Sequence, residues 1–165
     1  MFNDKSIKVR EGIAWVVLQI CTHHSDVMSG SPEATAYFIN IIVKSLQDLP
    51  KISVYSCQAI EQFAKSVGVD DYECPLKNNV LTPHFQDIAN ALVINSGRFD
   101  DDDGTNHLIS VTYSSLITLC QYCGLDSYQS LDLLLTHVLQ KLEETVSQSV
   151  GQTVETLQSS LCGLV

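Results

Sequence analysis

The sequence predicts an all-α fold: a right-handed solenoid of about three to four antiparallel helix pairs. Three observations carry this expectation. Apolar residues recur at the 3.6-residue spacing that lines one side of a helix. The same stripe then returns several times along the 165 residues, at intervals of 43, 56 and 49. No stretch alternates apolar and polar residues with period two, so strands are not expected.

The first stripe is Val9, Ile13, Ala14, Val17, Ile20 and Cys21, with offsets 0, 4, 5, 8, 11 and 12. It recurs as Ile52, Ser56, Cys57, Ile60, Phe63 and Ala64, then as Leu108, Thr112, Tyr113, Leu116, Leu119 and Cys120, and begins again as Leu157, Leu161, Cys162 and Val165. These are B-type helices. Between them runs a second pattern with offsets 0, 3, 4, 7 and 8: Phe38, Ile41, Ile42, Ser45, Leu46; Phe85, Ile88, Ala89, Leu92, Val93; and Leu131, Leu134, Leu135, Val138, Leu139. These are A-type helices. Length varies in the loops and not in the helices, which is how a repeat array behaves.

Breakers mark the joints. Ser31 is placed to cap the first A-type helix with Pro32 in its first turn, and Thr82-Pro83 to do the same for the second. Pro50 parts an A-type helix from its partner, Gly68 and Gly124 stand where B-type helices end and suit a left-handed C-cap, Asp126 or Ser127 can open the last A-type helix, and Gly151 interrupts before the last B-type helix. The resulting repeats are 1–28 (a B-type helix alone), 32–68, 82–124 and 127–165 with its last helix truncated. Both ends therefore cut through repeats, and the chain reads as a piece of a longer array whose terminal faces are apolar.

Composition narrows function. Nine Lys and Arg against nineteen Asp and Glu give a net charge of -10, which repels a phosphate backbone, so no nucleic-acid partner is expected. No run of eighteen apolar residues occurs, and the stretch Ile13–Cys21 lacks a cleavage pattern, so neither a membrane span nor a signal peptide is expected. Five of the six cysteines lie in periodic apolar segments and read as reduced core residues in an intracellular protein.

Motifs with possible chemistry have plainer readings. Cys120-Gln121-Tyr122-Cys123 is a CxxC on a helix with no second ligand pair at zinc-site spacing, and reads as core. His23-His24 complement a helix C-terminus and find no third metal ligand. Asp100 to Asp103 with Gly104 form a solvated turn in which Asp103 can cap the next helix; the oxygen spacing of a calcium loop is missing. There is no phosphate loop, GxSxG or HExxH, so no cofactor, no metal and no enzymatic activity is expected.

Two helices per repeat of roughly 40 to 47 residues is the HEAT or armadillo pattern. Asp4, the pair Val9-Arg10 and the small residue Ala14 look like the HEAT signature. Beyond this, Val9-Arg10-Glu11-Gly12-Ile13-Ala14-Trp15 with Ile20-Cys21 resembles the central repeats of the importin beta family, the karyopherin beta nuclear transport receptors. The segments Leu108 to Leu116 and Leu157 to Cys162 resemble B-type helices two and three repeats later, so the likeness covers nearly the whole chain.

The resemblance implies a non-catalytic transport receptor of the cytoplasm, nucleus and nuclear pore. B-type helices would line a concave surface that wraps the basic N-terminal segment of importin alpha or a basic cargo. FG nucleoporins would bind weakly in grooves between A-type helices, and Ran-GTP would release cargo. The family's acidic loop falls in an earlier repeat, outside this chain. In the family, tryptophans on the concave surface stack on basic side chains, and Trp15 matches one such position. The next repeat departs, with Gln58 where a second tryptophan is usual, which marks a divergent member.

Trp15 sits one residue beyond Ala14, at the edge of the apolar stripe. Periodicity alone allows it to pack on a neighbouring repeat or to present a half-exposed ring, where it would hold Lys or Arg at about 0.5 to 2 kcal/mol with Glu11 nearby; the resemblance favours the second. Gln58, Glu61 and Ser114 are the further candidates on the equivalent faces. The expected mechanism is an extended acidic curve holding a long cationic helix through many modest, salt-sensitive contacts. The competing reading is a HEAT scaffold subunit of the phosphatase-scaffold or coat-adaptor type, which would contact partners through its intra-repeat turns.

Overall fold

The computed structural model describes residues 4–68, 78–98, 105–146, 158–159 and 162. Its helices are α1 (Ile7–His23), α2 (Ser25–Ser29), α3 (Pro32–Ser45), α4 (Pro50–Val67), α5 (Phe85–Ser96), α6 (Thr105–Gln121) and α7 (Tyr128–Val146), with 3-10 turns at Thr82–His84 and Leu125–Ser127. Among the described residues there is no strand. The B-type helices α1, α4 and α6 stack in order into one layer, α3 and α5 pair with α4 and α6, and α5 also meets α3 and α7. The expected run of acidic residues at 100–103 and most of the last B-type helix lie outside the described residues.

Burial follows the periodic stripes where a helix has neighbours on both flanks. In α4, held between α1 and α6, all six stripe residues from Ile52 to Ala64 are buried. In α6 only Cys120 is less than fully buried. The stripe of α1 is half covered: Ala14, Val17 and Cys21 are buried, whereas Val9 is exposed, because α1 packs on α4 along one flank. Likewise in α7 Leu134 and Val138 are buried and Leu135 and Leu139 are exposed.

Several joints form as expected. The Ser31 hydroxyl accepts from the Ala34 amide at 3.1 Å, Pro32 opens α3 and Pro50 opens α4. Others differ. Thr82 does not cap α5; its hydroxyl accepts from the Asn79 amide at 2.9 Å and shapes the turn before Pro83. Gly68 and Gly124 have no left-handed backbone: both are extended, with φ of -66° and -82°. Glycine is needed there for room. A Cβ on Gly68 would lie 2.0 Å from the Tyr122 ring, and one on Gly124 would lie 2.9 Å from the Asn78 backbone, so both positions let the chain pass close to the adjoining repeat.

Helix α2 has no counterpart in the stripe pattern, since five residues are too few to show periodicity. Met28 anchors it: its side chain is fully buried, the Cys21 thiol donates to its sulfur at 3.2 Å, and the Thr35 hydroxyl donates to its carbonyl at 2.8 Å. Burial pushes the Cys21 and Cys120 thiols up to about 12 and Cys57 to about 11, so they stay protonated and act as packing groups. Cys162, by contrast, is exposed, so its place in a periodic stripe does not make it core.

Polar bonds tie the repeats together. Arg10 donates through Nε to Asp48 at 2.6 Å and through Nη2 at 3.0 Å, a two-pronged pair joining α1 to the turn before α4, and through Nη1 to the Asp4 carbonyl at 2.8 Å. The hydrogen bond from Arg10 holds the Asp48 carboxyl below the usual carboxylate range. Such a group stabilises the fold above its unfolded pKa, and that contribution is lost as pH falls through the lowered folded value. Asp48→Asn is therefore expected to lower the urea midpoint at neutral pH, with the gap to the parent closing as pH falls through the lowered folded value. A gap that stays constant over that range would show the pair contributes no pH-dependent stability.

Deeper in, Asn95 bridges three helices. Its amide donates to the Thr112 hydroxyl at 2.9 Å, its carbonyl accepts from the Ser53 hydroxyl at 3.0 Å, and the Thr112 hydroxyl donates on to the Leu108 carbonyl at 2.8 Å. Arg98 closes the set by donating to the Leu46 carbonyl at 2.8 Å, and Ser115 donates to the Cys57 carbonyl at 2.9 Å.

Candidate partner-binding face

On α1 two helical stripes are left open: Val9, Val16 and His23 lie on one, and Lys8, Gly12, Trp15 and Thr22 on the other. The equivalent stripe on α4 runs through Lys51, Tyr55, Gln58, Gln62 and Lys65, and on α6 through His107, Ser114 and Gln121. Trp15, Gln58 and Ser114 occupy the same register on three successive stacked helices, 43 and 56 residues apart. Trp15 is 50% exposed, Gln58 is half-buried between its two neighbouring helices, and Ser114 is exposed. The α1, α4 and α6 layer thus presents a continuous face rich in amides and hydroxyls, with the aromatic rings of Trp15 and Tyr55.

The two carboxylates on this face are already occupied. Glu11 accepts from Lys51 Nζ at 2.6 Å across the α1–α4 boundary, and the bond raises the Lys51 amine above the usual lysine range. Glu61 accepts from Lys65 Nζ at 2.5 Å within α4 and from the Ser114 hydroxyl at 3.3 Å across the α4–α6 boundary. The expectation of an acidic curve is therefore corrected. Lys8, Lys51 and Lys65 outnumber Glu11 and Glu61 on this face, while Asp26, Glu33, Asp87, Asp126, Asp132 and Glu143 stand on α2, α3, α5, α7 and a turn. Charge sign follows the layer, and sequence periodicity without the helix stacking does not show which Lys meets which Glu.

The A-type layer carries a different feature. Between α3 and α5 lies a groove of about 410 Å³, lined by the apolar residues Ala36, Ile39, Val43, Ala91 and the exposed Ile94, and by Asn40, Lys44, Asp87 and Asn90. A smaller one of about 180 Å³ lies between α5 and α7, against Ala89, Val93 and Leu133. Small residues at Ala36 and Ala91 open the first groove; they read in the sequence only as helix formers. Among the described residues no group of three or more His, Cys, Asp and Glu could hold a metal, and no helix is long and apolar enough to cross a membrane.

Stacked helix pairs, with a polar face on one layer and apolar grooves on the other, define a repeat protein of the HEAT-solenoid class. Residues 37–165 match the family described as importin subunit beta-1-like, TPR repeats, and the chain belongs to that family. The structure of importin beta crystallised in ammonium sulfate is 26% identical and superposes with a TM-score of 0.83 over 99% of this chain and 19% of that one. Kap95p, solved in a study of its binding to RanGDP, superposes at a TM-score of 0.84 and 19% identity over 99% of this chain and 19% of its own, and Kap95 in complex with Nup1 at 0.81 with the same identity and coverage. At that identity the likeness to Kap95 is one of fold. The chain spans about a fifth of the length of these structures. No curated protein sequence matches it.

Proposed function

We propose that this chain forms part of the partner-binding surface of a nuclear transport receptor working between cytoplasm and nucleus at the pore. In this reading the α1, α4 and α6 face is concave and holds the basic N-terminal segment of importin alpha or a basic cargo, and Ran-GTP displaces it in the full-length receptor. Trp15 carries the reading: a half-exposed indole on α1, the first helix of a face that continues in register through Gln58 and Ser114. Glu11 and Glu61 flank it as acceptors for Lys or Arg. The net charge of -10 supplies long-range attraction, although on the face itself three lysines stand against two carboxylates.

The groove between α3 and α5 supports a second contact of the same receptor, with FG nucleoporins. It offers an apolar lining for one aromatic ring and amide groups at Asn40 and Asn90 for the backbone beside it.

The test is a fluorescence-anisotropy titration of a labelled importin-alpha basic helix at low and physiological salt. Binding should saturate, weaken with salt, and weaken about 2- to 30-fold in Trp15→Ala, the span of a cation-π contact. Equal binding by both proteins would reduce the interaction to general charge attraction. No binding at low salt would favour the phosphatase-scaffold or coat-adaptor reading, in which turns and not this face meet the partner.

A further inference from the structure

Every carboxylate on the α1, α4 and α6 face is bonded to a lysine of the same chain, and in both pairs the lysine is the more exposed partner. Lys51 is 71% exposed over Glu11 at 28%, and Lys65 is 45% exposed over Glu61 at 18%. A cationic side chain approaching from solvent meets the ammonium groups before it meets the carboxylates. The two pairs also stand one step apart in the stack: Lys51 and Lys65 lie fourteen residues apart on α4, Glu11 is on α1, and Glu61 is steadied by Ser114 from α6. Toward solvent, α4 thus presents two lysines, each bonded to a carboxylate of this face.

We propose that Lys51 and Lys65 act as built-in competitors for the basic partner, occupying Glu11 and Glu61 in the free protein and setting its affinity by having to be displaced. The proposal rests on the reading of this face as a site for a basic segment. Both lysines are held by exposed ion pairs, which are weak and salt-screened, so a multivalent cationic helix can replace them. Neither pair spans the core, so removing a lysine leaves the packing intact. The lysines also make the face selective: a partner with a single positive charge gains nothing over the pairs already present, whereas one that satisfies both carboxylates and covers Trp15 does.

The experiment titrates the same labelled importin-alpha basic helix against the parent chain, Lys51→Gln, Lys65→Gln, the double variant, and the double variant with Glu11→Gln and Glu61→Gln. The ammonium groups removed are worth about two- to fivefold each at an exposed pair, so the double variant should bind about 4- to 25-fold more tightly. Restoring neutrality with Glu11→Gln and Glu61→Gln should cancel that gain. Urea midpoints of all variants, read alongside, should stay close to the parent. If the parent binds and the double variant binds no better, the lysines are not competitors and the basic-helix reading stands without them. Binding by the double variant alone would support the proposal in its strongest form. If no variant binds, the reading of the face fails and the proposal falls with it.

Discussion

Asn95→Leu should lower the stability of the chain by about 2 to 4 kcal/mol, although the substitution exchanges a polar side chain for an apolar one of similar size in a fully buried place. The reason lies in what it leaves behind. The Asn95 side chain is 0% exposed and joins α4 to α6 through Ser53 and Thr112. Without it the Thr112 hydroxyl loses a donor, Arg98 loses an acceptor at 3.3 Å, and the Cys57 thiol loses the amide 3.6 Å away. Thr112, Ser53 and Arg98 keep their bonds to the Leu108 and Leu46 carbonyls, so the cost is that of several buried hydrogen bonds lost together. Urea denaturation followed by far-UV circular dichroism measures the loss. A change below about 0.5 kcal/mol, the range of an ordinary surface substitution, would mean the network is not holding the helices together.

Phe63→Ala should cost about 3 to 5 kcal/mol, since it removes a fully buried ring from α4, the helix packed between α1 and α6. Phe63 is 0% exposed and belongs to the core cluster with Cys21, Ile60 and Leu116, drawn from α1, α4 and α6. Each repeat buries its apolar face only against a neighbour, so a cavity at this point weakens the interfaces on both sides of α4. Leu134→Ala in α7, at 7% exposure and against α5 on the edge of the described array, should cost less. Thermal or urea melts of the two variants check the order. Equal losses would show that the central helix is no more constrained than an outer one.

Much of this architecture was legible because helix periodicity and burial coincide where a helix has two neighbours. The stripe of α4 was read residue for residue, and Ser31, Pro32 and Pro50 marked helix starts by chemistry that acts locally. The glycines were misread for the same reason. A left-handed cap is a local property, whereas Gly68 and Gly124 answer to Tyr122 and Asn78, side chains and backbone some 50 residues away in sequence. Asn95 carried no signal at all, since a single asparagine in an apolar stripe does not disclose that Ser53 and Thr112 will meet it.

The same distinction runs through the candidate site. The offset of Trp15 from Ala14 predicts a ring at the edge of a stripe, and the ring is half exposed there. The acidity of the face was not readable from composition. Net charge counts residues without regard to layer, and the pairing of Glu11 with Lys51 depends on how α1 stacks against α4. Likewise, the groove between α3 and α5 arises from Ala36 and Ala91 facing one another across two helices, a match that exists only once the helices are packed.

Trp15 is the single tryptophan of the chain, so its intrinsic fluorescence reports on one point of one face. Adding an unlabelled importin-alpha basic helix that contains no aromatic residue should shift or quench that emission, saturating at the same concentration as the anisotropy titration. A basic segment that binds saturably while the emission of Trp15 stays unchanged would place the partner elsewhere and contradict the assignment of the α1, α4 and α6 face.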